Sequence, residues 1–107
     1  MMKEQATLTY INEIAGNDVA YQQKLLDIIK SEFPEEKAQY IHFYNTNNFI
    51  QSAEMVHKLK HKINIFGLEQ SYTIAKDFEN QLRDNNNQLH SKFLTILEHI
   101  ETYLNNL

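Results

Sequence analysis

Residues Ala53 to Gly67 read AEMVHKLKHKINIFG. Val56, Leu59, Ile63 and Phe66 recur at spacings of three and four, which at about 100° per residue puts them on one narrow stripe of a helix. His57 lies on the flank of that stripe. Lys60 and His61, three and four positions later, crowd the same patch of helix surface. Ala53, one turn earlier, and Asn64, two turns later, share that face. The stretch therefore describes a helix buried on one side, with an imidazole, an ammonium group and small or polar neighbours along its edge.

Working outward, the chain is rich in helix formers and poor in breakers. Its 107 residues include two glycines, one proline and no cysteine, and 42% of them are hydrophobic. This predicts one all-α domain over residues 1–107, long enough to bury a core. No disulfide or thiolate chemistry is available, which fits a cytoplasmic location. No apolar run is long enough to span a bilayer or to read as a signal peptide. A net charge of −4 argues against nucleic acid as a partner. Two glycines are too few for a phosphate-cradling loop.

The periodicity predicts six helices. The first covers Glu4 to Ala15, with Leu8, Ile11 and Ile14 on one side, and Gly16 stops it. Asn17 or Asp18 caps a second helix, Val19 to Phe33, carrying Tyr21, Leu25, Ile28, Ile29 and Phe33. Pro34 is read as opening a third helix to Tyr44, with Glu35 and Glu36 in its first turn. After the turn at residues 45–48, a fourth helix from Asn48 to Phe66 contains the patch. The fifth runs from Glu69 to Asp84, with Tyr72, Ala75, Phe78 and Leu82 in register. The sixth, Gln88 to Asn105, carries Leu89, Phe93, Ile96, Leu97, Ile100 and Leu104. Short polar turns between long amphipathic helices predict an antiparallel up-down four-helix bundle, with short additional helices covering an end and an edge. Its apolar stripes are used up within one domain, which predicts a monomer.

Three readings of the patch compete. A histidine on a helix can simply be solvated or hydrogen-bonded. His57 and His61 form an i, i+4 pair that could direct two imidazoles at one metal ion, with Glu54 adding a carboxylate. Lys58, Lys60 and Lys62 oppose a cation there, and no Glu-x-x-His partner occurs, so no metal site and no cofactor is assigned. His42, His90 and His99 are isolated. The third reading is phosphoryl acceptance: imidazole, with an ordinary pKa of about 6.5, is a competent neutral nucleophile near pH 7. Lys60 is placed to offset phosphoryl charge. The chain has no means of activating a phosphoryl donor alone, so a partner must bring Mg²⁺ and the carboxylates.

His57-Lys58-Leu59-Lys60, with Gly67 ten positions after the histidine, resembles the motif of histidine-containing phosphotransfer (HPt) domains, His-x-Leu-Lys-Gly followed six residues later by another glycine. The resemblance extends to the lead-in Ala53 to Val56, to Ala75, Phe78 and Glu79 on the following helix, and to the turn Gly16-Asn17-Asp18. It implies a phosphorelay intermediate rather than an enzyme. His57 takes a phosphoryl group from a receiver-domain phospho-aspartate and passes it to another receiver. The implied partners are response-regulator receivers or a hybrid histidine kinase. Lys60 steadies the group, Gly67 permits tight packing, and Glu79 lies near the histidine and orients its other ring nitrogen. Ile50 joins Ala53, His61 and Asn64 as a docking residue. An exposed Lys60 is expected to contribute little to stability. One position departs from the family pattern: His61 stands where the family usually has glycine. The alternative function is an interaction module whose bundle face binds a partner without chemistry.

Overall fold

A computed structural model describes residues 4–107. Among these, the chain forms five helices and no strand: α1 (Thr9–Ala15), α2 (Val19–Asn45), α3 (Phe49–Ile65), α4 (Glu69–Arg83) and α5 (His90–Asn105). No described helix is long and apolar enough to cross a membrane.

The third helix starts as its sequence dictates. Asn48 is its N-cap, and the side-chain oxygen accepts from the Gln51 amide at 3.2 Å. The cap satisfies one of the amides that a helix start leaves unpaired. Val56, Leu59, Ile63 and Phe66 are all fully buried. α3 packs against α2 on one side and α4 on the other, while α5 lies against α4 and α2. The core between them is aromatic and aliphatic, with Phe33, Tyr40, Phe66, Phe78 and Phe93 among its largest buried side chains. Burial of such surface is worth about 25 cal/mol per Å², which makes it the main source of stability.

The break expected at Pro34 does not occur. The segments read as separate second and third helices are one helix of 27 residues, with Pro34 in its interior. Proline removes one intrahelical hydrogen bond there, at a cost of about 3 kcal/mol in an unsupported helix. Packing outweighs that loss. Leu26, Ile29, Phe33 and Tyr40 form one buried stripe that crosses the proline without changing phase, while Pro34 itself is exposed. Polar ties hold the same helix to its neighbours: Lys62 of α3 reaches Glu32 and Glu36 at 3.0 and 3.1 Å, and Lys37 reaches Glu101 of α5 at 3.0 Å.

The first helix is also shorter than its periodicity predicts. Glu4 to Leu8 are not helical. This segment lies over the end of α3, with the Thr7 amide donating to the Phe66 carbonyl at 2.9 Å. The Glu4 carboxylate caps α4, accepting from the Gln70 and Ser71 amides at 2.9 and 2.6 Å. Partial burial alone would raise its pKa; the hydrogen bonds from Gln70 and Ser71 reverse that and hold it below the usual range. Gly67 makes the crossing possible. Its φ is +75°, and a Cβ there would sit 3.2 Å from Thr7 Oγ1 and 3.6 Å from the Tyr10 ring.

Several apolar residues assigned to buried stripes face solvent instead. Ile14, Tyr21 and Ile28 are exposed. In α1 the buried residues are Ile11 and Ala15, a phase that turns Ile14 outward.

Candidate functional site

His57 stands on the face of α3 that looks along α4. Its side chain is 48% exposed, so the ring is open to water while its base is held by the helix. The Nδ1 atom lies 3.3 Å from both oxygens of Glu79, which reaches across from α4. That carboxylate is the centre of a charged knot. Lys60 Nζ donates to its Oε1 at 3.1 Å, and Arg83 donates to its Oε2 at 3.3 Å from one turn along α4. Arg83 also reaches Glu54 at 3.3 Å.

Glu79 is a buried acid between helices. Burial alone would raise its pKa. Hydrogen bonds from Lys60 and Arg83, the Lys60 charge and the His57 contact overcome that term and hold the carboxyl below its ordinary value. Glu79 is therefore ionised near neutral pH and acts only as an acceptor. That fixes the neutral tautomer of His57: the proton sits on Nδ1, pointed at Glu79, and the lone pair is left on Nε2. Nε2 is then the nitrogen able to act as a nucleophile.

Lys60 is not the free surface ammonium that helical spacing suggests. Its side chain is 12% exposed, its nitrogen is committed to Glu79, and it lies 5.8 Å from the centre of the Tyr72 ring. The expectation that it contributes little to stability is corrected here: its partner is nearly buried, and losing the pair leaves that charge less satisfied.

His61 points back at the nucleophile. Its Nε2 is 3.4 Å from His57 Nε2, and the two rings stand at 89° with centres 4.9 Å apart. With the His57 proton on Nδ1, His61 is the donor of this weak contact. Beyond it, His61, Asn64 and Ile65 of α3 line a shallow cleft with Tyr10, Glu13 and Ile14 of α1.

The remaining residues singled out by sequence divide. Ile50 is 55% exposed, two turns before His57 on α3, and Asn64 is exposed one turn beyond His61. Ala53 is fully buried and forms part of the core, so it does not line an accessible face as its phase suggests. Gly67 contributes through the crossing of the N-terminal segment, with no side chain in the patch. Glu54 faces Arg83 and makes no contact with either histidine, contrary to the carboxylate role considered for it. Sequence reasoning missed Arg83, although its i, i+4 spacing from Glu79 was a usable signal. It also missed the α1 wall, which no local pattern reveals.

Searches against protein-family models, curated proteins and solved structures find no match to this chain.

Proposed function

We propose that this protein is a phosphorelay carrier of the HPt type, working with receiver domains in two-component signalling in the cytoplasm. One observation carries the reading: a water-accessible imidazole whose Nδ1 is held on an ionised carboxylate, leaving the Nε2 lone pair for nucleophilic attack. In the proposed reaction, the Nε2 lone pair attacks the phosphorus of a receiver's acyl phosphate. The new N–P bond forms as the P–O bond to the aspartate breaks, and that carboxylate leaves with the electron pair. The ring keeps its Nδ1 proton and becomes cationic, facing Glu79. Lys60, held on Glu79, is the cation that would exchange partners to meet the incoming phosphoryl group. The receiver supplies Mg²⁺ and the acidic residues, since this patch offers none that are unpaired.

The finer architecture we infer is the antiparallel up-down bundle of α2 to α5, with α1 as cover. Connections of only residues 46–48, 66–68 and 84–89 support it, because short links between long helices return the chain alongside itself. Ile50 on α3 and Ile14 and Tyr10 on α1, all exposed, would supply apolar contacts to the receiver on either side of His57.

His61 is the feature that a carrier must accommodate. Its contact with Nε2 has to open before the nucleophile can reach phosphorus. The reading therefore predicts that His61→Gly, which restores the usual family residue, accelerates transfer by roughly 2- to 10-fold, the worth of one ordinary hydrogen bond. The decisive test is incubation with a phosphorylated receiver. Wild-type protein should acquire acid-labile, base-stable label, and His57→Gln should acquire none. Label at wild-type level in His57→Gln removes the carrier reading. The same His61 contact favours one second reading, a binding module whose nucleophile is kept shut. Tight receiver binding with no label in either wild type or His61→Gly would select it.

A further inference from the structure

We infer that His57 and His61 together form a bidentate site for a divalent transition cation of the zinc class. Two imidazole nitrogens bound to one tetrahedral ion, each about 2.0–2.1 Å from it, lie roughly 3.3–3.4 Å apart. The two Nε2 atoms are 3.4 Å apart before any metal is present. The ring centres are farther apart, at 4.9 Å, so the two nitrogens are the facing corners of the two rings. The i, i+4 spacing on an unbroken stretch of α3 fixes that separation through the backbone.

The structure also answers the electrostatic objection raised by the neighbouring lysines. Lys60 and Arg83 are balanced by Glu79 and Glu54, and Lys62 is drawn to Glu32 and Glu36 on the α2 side of the helix. Of the three lysines around the pair, Lys58, Lys60 and Lys62, only Lys58 has no carboxylate partner within ion-pair distance among the described residues. A supporting partner is in place on one ligand: Glu79 accepts from His57 Nδ1, the carboxylate–histidine arrangement that orients a metal-binding ring and sets its tautomer. His61 needs only a change of tautomer, moving its proton from Nε2 to Nδ1 in an exposed ring. Among the described residues no group of three or more His, Cys, Asp or Glu side chains is placed to hold an ion, so water fills the remaining positions. Imidazole ligation selects Zn²⁺, Cu²⁺ or Ni²⁺ over the oxygen-seeking Mg²⁺.

The site stands apart from the relay reading, but the two would share one atom. A metal on His57 Nε2 occupies the lone pair that attacks phosphorus, so bound Zn²⁺ would act as an inhibitor of transfer.

The test is calorimetric titration of the whole chain with ZnCl₂ in a buffer free of chelators and phosphate. Wild-type protein should show one saturable site, with no saturable response to MgCl₂. His61→Ala should weaken binding at least tenfold, and Glu79→Gln by roughly tenfold. His42→Ala, exposed on α2, should leave it unchanged. No saturable heat in wild type, or full affinity in His61→Ala, overturns the site. Nitrogen NMR of the wild-type rings removes any dependence on variant folding: Zn²⁺ should shift Nε2 of residues 57 and 61, and shifts confined to other histidines overturn the proposal. Label transfer from a phosphorylated receiver is measured separately. Its absence without Zn²⁺ counts against the relay alone, and transfer undiminished at saturating Zn²⁺ overturns the shared-atom inhibition.

Discussion

Two histidines in this molecule face opposite fates. His57 stands half in water on α3, with one nitrogen on an ionised carboxylate and the other against the exposed ring of His61. His90, at the start of α5, is half-buried in an aromatic cluster. Its ring stacks on Tyr44 with centres 3.5 Å apart and planes within 4°. Its Nδ1 accepts from the Tyr40 hydroxyl at 2.6 Å. Burial pushes its pKa down, and burial, reinforced by Tyr44, pushes the Tyr40 hydroxyl far above its usual value. The side chain is the same, but an aromatic enclosure holds one imidazole neutral and structural. An acidic neighbour and open solvent leave the other chemically available. Residue type proposes chemistry; the neighbours across the helix boundary select it.

The largest separation between the two should come from replacing each ring. His57→Gln is expected to abolish label from a phosphorylated receiver while its unfolding free energy in urea stays within about 0.5 kcal/mol of wild type, since an exposed ring supports little structure. His90→Gln should do the reverse, retaining label and losing stability. Label lost in a folded His90→Gln protein breaks the contrast.

Next in size is the aromatic floor beneath His90. Phe93 is fully buried and packs edge-on to Tyr40 at 5.1 Å. Phe93→Ala should cost about 3–5 kcal/mol by denaturant melting, through lost burial and the cavity left behind. A cost below 1 kcal/mol would mean that the cluster is loosely packed and that His90 is less confined than its geometry indicates.

Lys60→Ala sharpens the other side. It should slow transfer and also destabilise by about 1–2 kcal/mol, because it strips a donor from a nearly buried carboxylate. Slowed transfer with unchanged stability would make Lys60 a purely functional cation. Tyr40→Phe should cost about 1 kcal/mol through the lost hydrogen bond to His90, with no effect on transfer.

The smallest effects are those of pH, and they separate the two regions by window. His90 has a folded pKa below its ordinary 6.5, so its neutral form's stabilisation is whole above that value and is lost as pH falls through the folded pKa. Glu79 and Glu4 are depressed below 4.5, so their contribution is whole above that pH and fades further into acid. Urea midpoints measured from pH 7.5 to 3.5 should therefore fall in two stages. His90→Gln should flatten the upper stage and Glu79→Gln should reduce the lower, leaving the share of Glu4.

Much of this was legible in the chain. The stripe of Val56, Leu59, Ile63 and Phe66 reads as buried and is buried. Asp18 caps α2 through the Tyr21 amide at 3.0 Å, as Asp ahead of a helix should. Pro34 misled for a physical reason. Its local signal marks a first turn, but the stripe from Phe33 to Tyr40 continues across it, and core packing decides. Ile14 misled because a seven-residue helix has too few turns for its phase to be read from spacing. Ala53 misled because a small residue at the edge of a stripe can be covered by a neighbouring helix.

Sequence alone determined an all-helical chain, the buried face of α3, and the placement of His57, Lys60 and His61 on its flank, because helical periodicity is a local property. Only the tertiary structure decided that Lys60 is clasped by Glu79 rather than free, and that His90 is walled in by Tyr40 and Tyr44. Those contacts join residues about twenty to fifty positions apart or depend on which side chain covers another. Which helices come together is a balance of packing over the whole core, and no short stretch of sequence encodes it.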